Sequence, residues 1–186
     1  MSLLALHDAA CWRGGRLLFE GLNLELRAGE AMLVTGPNGT GKSSLLRVAA
    51  GLLGPLAGKV AAAPCALADE RPALDPELPL GRALAFWSPA GGNVAAALAA
   101  TGLAALADVP VRLLSTGQLR RASLARVSLS GAPLWLLDEP ANGLDAASVD
   151  LLGTLLARHL GDGGAILAAS HQQLSGAHWR TLELAQ

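Results

Sequence analysis

Residues 36–44 read GPNGTGKSS, between an apolar run, AMLVT at 31–35, and a run of helical character, LLRVAAGLL at 45–53. Few folds accept a strand, a glycine-rich turn and a helix in that order. The turn has to present backbone N–H groups at a helix N-terminus, where the peptide dipoles add a partial positive charge. The pattern G-x-x-x-x-G-K-[ST] in this context closes a backbone loop around phosphate oxygens. Gly36, Pro37, Asn38, Gly39, Thr40, Gly41, Lys42, Ser43 and Ser44 are therefore candidate binding residues. Lys42 is expected to reach the terminal phosphates of a nucleotide, and the Ser43 hydroxyl to ligate Mg2+.

The rest of the chain repeats the alternation. LNLEL (22–26) alternates like a half-buried strand, and GKVAAA (58–63) reads as a further one. The helix after the glycine-rich turn is expected to stop at Gly54-Pro55, and the Pro-rich, acidic residues 64–79 read as loop. Two short helices are expected over 80–106, and a longer one from Ser115 to about Ser130. PLWLLDEP (133–140) has the composition of a parallel strand buried on both faces. AASVDLLGTLLARHL (146–160) is an amphipathic helix, AILAAS (165–170) a strand, and RTLEL (180–184) a last edge strand. Strands alternating with helices imply an α/β domain with a mainly parallel sheet.

Size and composition narrow the class. At 186 residues the chain suits one domain with a small subdomain. A formal net charge of −1 offers no electrostatic case for nucleic acid. Cys11 and Cys65 sit in no metal-ligand spacing and read as reduced thiols. The start, MSLLALHDAACWRGG, lacks the basic region of a secretory signal. Hydrophobic residues reach 52% and charged residues only 16%. The stretch 83–107 carries no charge, but Pro89, Gly91, Gly92 and Asn93 divide it into pieces too short for the roughly 20 apolar residues of a membrane span. Buried subdomain helices with a surface for a membrane partner fit it better.

The second half of a nucleotide site lies downstream. LWLLDE ends an apolar strand in Asp138 and Glu139. Asp138 is placed to hold the Mg2+ shell at the carboxyl end of a parallel strand. Glu139 is placed to polarise a water against the terminal phosphate. A kinase, a GTPase and an ATPase all remain open at this point.

LSTGQ, residues 114–118, resembles the signature sequence of ATP-binding cassette ATPases, with Thr116 where a glycine is usual. The resemblance covers essentially the whole chain. It implies a P-loop NTPase (RecA-like) parallel sheet core, an N-terminal antiparallel β-subdomain and an α-helical subdomain at about 76–116, all in one domain, 1–186. It also implies that Ser115, Gly117 and Gln118 cap the nucleotide of a facing subunit, in a homodimer that forms on ATP binding. NGLD (142–145) resembles the loop in which Asp145 links the two sites. His171 stands where the family has a histidine that contacts the γ-phosphate, so Glu139 and His171 are the implied catalytic pair. Trp12 lies near the family's adenine-stacking aromatic. The family's glutamine between the P-loop and the helical subdomain is missing: none occurs between Ser43 and Gln118, and Asp69, Glu70 and Arg71 occupy that neighbourhood.

Within that family, RGGRLLFEGLNLEL, GPNGTGKSSLLRVAAGLLGP, LSTGQLRRASLARVSLSGAPLWLLDEPANGLD and ASHQ look like the ATP-binding subunits of cytochrome c maturation haem exporters. That implies ATP and Mg2+ as cofactors and integral membrane transporter subunits as partners. It places the chain at the cytoplasmic face of the inner membrane, as a peripheral subunit. No nucleic acid partner is expected. Direct haem binding is not expected either, because four histidines and two cysteines form no axial-ligand motif. The alternatives are an ATPase subunit of another transporter, a soluble P-loop kinase, and a non-hydrolysing nucleotide switch.

Overall fold

The structure is a computed structural model, and it describes residues 1–89 and 92–184. Among the described residues there are eight strands and five α-helices. Strands β1 (Ser2–Arg13), β2 (Arg16–Arg27) and β4 (Ala57–Ala62) make an antiparallel sheet in the order β2-β1-β4. Strands β3 (Ala31–Thr35), β5 (Cys65–Ala68), β6 (Leu134–Asp138), β7 (Ala165–Ala169) and β8 (Trp179–Glu183) make a five-stranded sheet in the order β5-β6-β7-β3-β8. Every paired neighbour in this second sheet is parallel. Residues of β6 and β7 are buried throughout, as expected of strands covered on both faces.

Three apolar cores follow. One packs α1 (Lys42–Ala49) between the two sheets, with Leu4, Leu6, Leu26, Leu45, Leu46 and Leu136 among its buried members. A second sets α4 (Thr116–Leu129) and α5 (Ala146–Gly161) against the other face of the parallel sheet. The third joins α2 (Leu80–Ala85), α3 (Val94–Ala100) and α4 around Leu80, Leu84, Leu98 and Leu103. Helix α4 serves two of them: Leu124 and Val127 enter the sheet core, while Ala122, Ala125 and Leu129 enter the helical one.

Three expectations are corrected. Residues 64–79 are not all loop: Cys65–Ala68 is a strand, held because its four residues pair in parallel with Leu134–Leu137 of β6. Helix α1 stops at Ala49, before Gly54-Pro55. Gly51 takes a φ of 71°, and the Leu52 N–H returns to the Arg47 carbonyl at 2.9 Å. The strand read at 22–26 is the end of a much longer one, β2, paired with an equally long β1. Of the expected break around Pro89, Gly91 lies outside the described residues.

Candidate functional site

Strand β3 lies inside the parallel sheet, so the loop after Thr35 emerges at the carboxyl edge where ligands of such sheets collect. Gly36 has a φ of 136°, and a Cβ there would collide with the Leu184 carbonyl. Gly41, with a φ of 106°, caps α1 and faces Leu18. Only glycine fits both positions. Lys42 is buried and donates to the Gly36 carbonyl at 2.7 Å and the Pro37 carbonyl at 3.0 Å. Thr40 donates its hydroxyl to the Pro37 carbonyl at 3.0 Å, which tightens the same turn.

Two strands away, β6 brings Asp138 and Glu139 to the same edge. Asp138 is buried, which pushes its carboxyl above the usual range. The neighbouring Ser43 hydroxyl works against that shift, and the Glu139 carboxylate adds to it. Ser43 and Asp138 are hard oxygen donors side by side. No cluster of three or more metal-binding side chains exists among the described residues. That donor set suits Mg2+, which takes one or two protein oxygens and fills the rest of its octahedron with phosphate and water.

Glu139 holds a left-handed φ of 48°, unusual for a glutamate, and its N–H donates to the Ala169 carbonyl at 2.8 Å. This conformation is the kind of local strain found at functional sites. The His171 backbone N–H donates to Glu139 Oε2 at 3.4 Å, and His171 Nε2 lies 3.6 Å from Glu139 Oε1. The same Nε2 lies 2.8 Å from Asn38 Oδ1 and donates to it in the tautomer protonated at Nε2. His171 therefore ties the glutamate to the glycine-rich loop.

These groups line one cavity of about 630 Å3. Asn38, Gly39, Gly41, Lys42, Ser43, Ser44, Asp138, Glu139 and His171 all reach it. Gly36, Pro37 and Thr40, which shape the loop from behind, do not, and neither do Trp12, Ser115, Gly117, Gln118 and Asp145. Ser115 instead caps α4 on the outside: its Oγ accepts from the Gln118 N–H at 3.3 Å, and Gln118 Oε1 accepts from the Ser115 N–H at 2.8 Å. Asp145 caps α5 by accepting from the Ser148 N–H at 2.8 Å; the Ser148 hydroxyl, and after it that N–H, hold its carboxyl below the usual range. Gly117 approaches the Gly143 carbonyl closely, so the LSTGQ turn and the 142–145 loop form one surface.

Sequence reasoning missed Arg13, Arg16, Arg120 and Asn142, which also line the cavity. A Gly-Gly turn flanked by arginines, WRGGR, was the available signal for the first two. Glu70 lines it as well, from the stretch where the glutamine is missing.

Comparison with known proteins agrees with this geometry. The ABC transporter family model matches residues 19–142, which hold the glycine-rich loop, LSTGQ and the Asp138–Glu139 pair. The chain belongs to the ABC transporter family. Similar members include the cytochrome c biogenesis ATP-binding export protein CcmA of Zymomonas mobilis subsp. mobilis, 55% identical over 97% of this chain and 84% of that protein. Another protein of that name, from Sphingopyxis alaskensis, is 56% identical over 93% of this chain and 92% of its own length. Among solved structures, an ABC transporter ATP-binding protein from Pyrococcus furiosus shares the fold. Its TM-score is 0.84 at 22% identity, covering 97% of this chain and 96% of that one. The ATP-binding cassette MJ0796, in a dimeric post-hydrolysis state bound to ADP and Pi, gives a TM-score of 0.79 at 22% identity over 91% of this chain and 88% of that one. No described helix of this ABC transporter family chain is long and apolar enough to cross a membrane.

Proposed function

We propose that this chain is the ATP-binding, ATP-hydrolysing subunit of a membrane transport complex serving cytochrome c biogenesis. Lys42, Ser43, Asp138, Glu139 and His171 converge on one cavity at the carboxyl edge of a parallel sheet, and this convergence carries the reading. The CcmA relatives, at 55% and 56% identity, supply the process and the export role.

Lys42 leaves the loop carbonyls for the β- and γ-phosphates when nucleotide enters, and the α1 N-terminus adds its dipole. Ser43 and Asp138 would hold Mg2+, which would supply positive charge to offset the charge developing on the phosphates. Glu139 accepts a proton from the attacking water, and His171 keeps that carboxylate aligned while bonding toward the γ-phosphate. Ser115, Gly117 and Gln118 face outward and serve the nucleotide of a second copy, whose own signature returns the service. Two ATP molecules then lie at the dimer interface, and closure excludes water from both. Integral membrane subunits dock on the helical unit, and the complex sits at the cytoplasmic face of the inner membrane.

The test replaces the chromosomal copy with Glu139→Gln and stains membranes for covalently bound haem. The expected result is loss of c-type cytochromes with b-type haem unchanged and the variant protein present. Normal c-type cytochromes would remove the haem reading. A purified Glu139→Gln protein with full ATPase activity would remove Glu139 as the base.

A further inference from the structure

The tip of the β1–β2 hairpin meets the cavity with Arg13, Gly14 and Arg16, and Leu18 follows on β2. Arg13 Nη1 donates to Ser44 Oγ at 3.3 Å, and Ser44 is buried in the first turn of α1. Arg16 Nη2 donates to the Gly39 carbonyl at 2.7 Å. Trp12 stands one residue away. It is 54% exposed, pairs with Leu17 and does not line the cavity. Among the described residues, no phenylalanine, tryptophan or tyrosine lines it, and its one ring, the His171 imidazole, sits beside Glu139.

Lys42 and the Ser43–Asp138–Glu139 group take the β- and γ-phosphate end of a nucleotide. On that reading, the hairpin side of the lining, with Arg13, Gly14, Arg16 and Leu18, is left for the α-phosphate and the nucleoside, while Glu70, Arg120 and Asn142 complete the cavity. We propose that Arg13 and Arg16 hold that end of the nucleotide, in place of an aromatic ring stacked on the base. The proposal rests on the nucleotide-binding reading above.

The chemistry differs from aromatic stacking in three ways. A guanidinium is always charged, so its edge pairs with phosphate oxygens. Its flat face stacks on either purine and reads no base edge, so adenine and guanine are held nearly alike. Its attraction to phosphate is screened by salt, because both arginines lie at an open cavity mouth. The cassette therefore reads a triphosphate more than it reads adenine.

The test titrates the full-length protein with the Mg2+ complexes of the β,γ-imido analogues of ATP and GTP, at low and at high salt. The expected result is affinities for the two analogues within about fivefold. Arg13→Ala weakens both by roughly tenfold and flattens the salt dependence. Arg13→Lys keeps the salt dependence but not the full affinity, since an ammonium has no stacking face. Trp12→Ala binds as the wild type does. Unchanged melting temperatures separate these effects from misfolding, and Arg13→Gln provides a second neutral variant. A roughly hundredfold preference for the ATP analogue would overturn the proposal. So would loss of affinity in Trp12→Ala with none in Arg13→Ala. A wild-type protein that binds neither analogue would sink the proposal together with the nucleotide-binding reading beneath it.

Discussion

His159 lies at the far end of the parallel sheet from the glycine-rich loop, and the proposed mechanism does not use it. Its ring stacks on Trp135, with centroids 3.8 Å apart and planes within 10°. Its Nε2 sits 3.3 Å from the Ala165 carbonyl. Burial lowers its affinity for a proton, against opposing pulls from the Ala165 and Pro133 carbonyls and the Asp162 carboxylate. A histidine whose proton affinity falls on folding leaves stability intact above its unfolded value and removes it as pH drops toward the folded one. The melting temperature is therefore expected to fall on acidification from about pH 7.5 to about pH 5. His159→Phe keeps the stack but cannot titrate, so its melting curve is expected to fall less steeply over the same range. Parallel melting profiles for the two proteins would show that His159 contributes nothing. The same scale explains why the sequence alone does not tell whether Trp12 or Arg13 reaches the cavity, which in the structure is Arg13. Successive strand residues face opposite sides, so a one-residue error in register exchanges the two. Irregular pairing between Ala9 and Cys11, and again between Cys11 and Trp12, hides that register in the sequence.

Helix α4 acts through its arginines. Arg120 Nη1 donates to the Asp69 carbonyl at 3.1 Å and to the Asp138 carbonyl at 3.2 Å. Arg126 donates to the Pro72 carbonyl at 3.0 Å and to the Leu67 carbonyl, and its guanidinium lies 4.9 Å from the centre of the Trp87 ring. The segment between β5 and α2 is thus pinned by the helix that LSTGQ opens. Arg126 is almost wholly buried. Arg126→Ala strands two carbonyls and is expected to cost about 3 kcal/mol, measured as a lower urea midpoint. Arg126→Lys should recover little, because an ammonium cannot serve both carbonyls and the ring. A midpoint unchanged by either substitution would show that the segment holds its place without Arg126. Most elements were legible because their signals are local. AMLVT, WLLD and AILAA are apolar runs of strand length, and GPNGTGKSS sits between a strand and a helix. Strand β5 was not, because CALA is four residues long and becomes a strand only through its pairing with β6. Strand β1 was hidden by bulges between Leu6 and Ala9, around a left-handed Asp8, which interrupt the period-two pattern. The cavity residues carried by short motifs are equally legible, whereas Arg13 and Arg16 leave only the WRGGR turn as a signal and Arg120 reaches the cavity through tertiary placement alone.

One chain carries the cavity beside the glycine-rich loop and, away from it, a capped turn whose Ser115 is exposed. Ser115→Arg is expected to leave monomer folding and nucleotide binding intact while blocking ATP-driven dimerisation. Light scattering with ATP, in a Glu139→Gln background that slows turnover, measures this directly. A dimer of wild-type affinity in the Ser115→Arg protein would show that the LSTGQ turn does not face a second nucleotide. The arrangement of α4 has a further consequence for exchanging parts between relatives. Because this helix inserts Ala122, Ala125 and Leu129 into one core and Leu124 and Val127 into another, no cut at its start separates the helical unit cleanly from the parallel-sheet unit. A chimera that imports residues 80–113 alone would leave one side of the recipient's helix packed against foreign neighbours. A workable transplant carries α4 along, and with it the LSTGQ turn, so the helical unit and that turn travel as one heritable block.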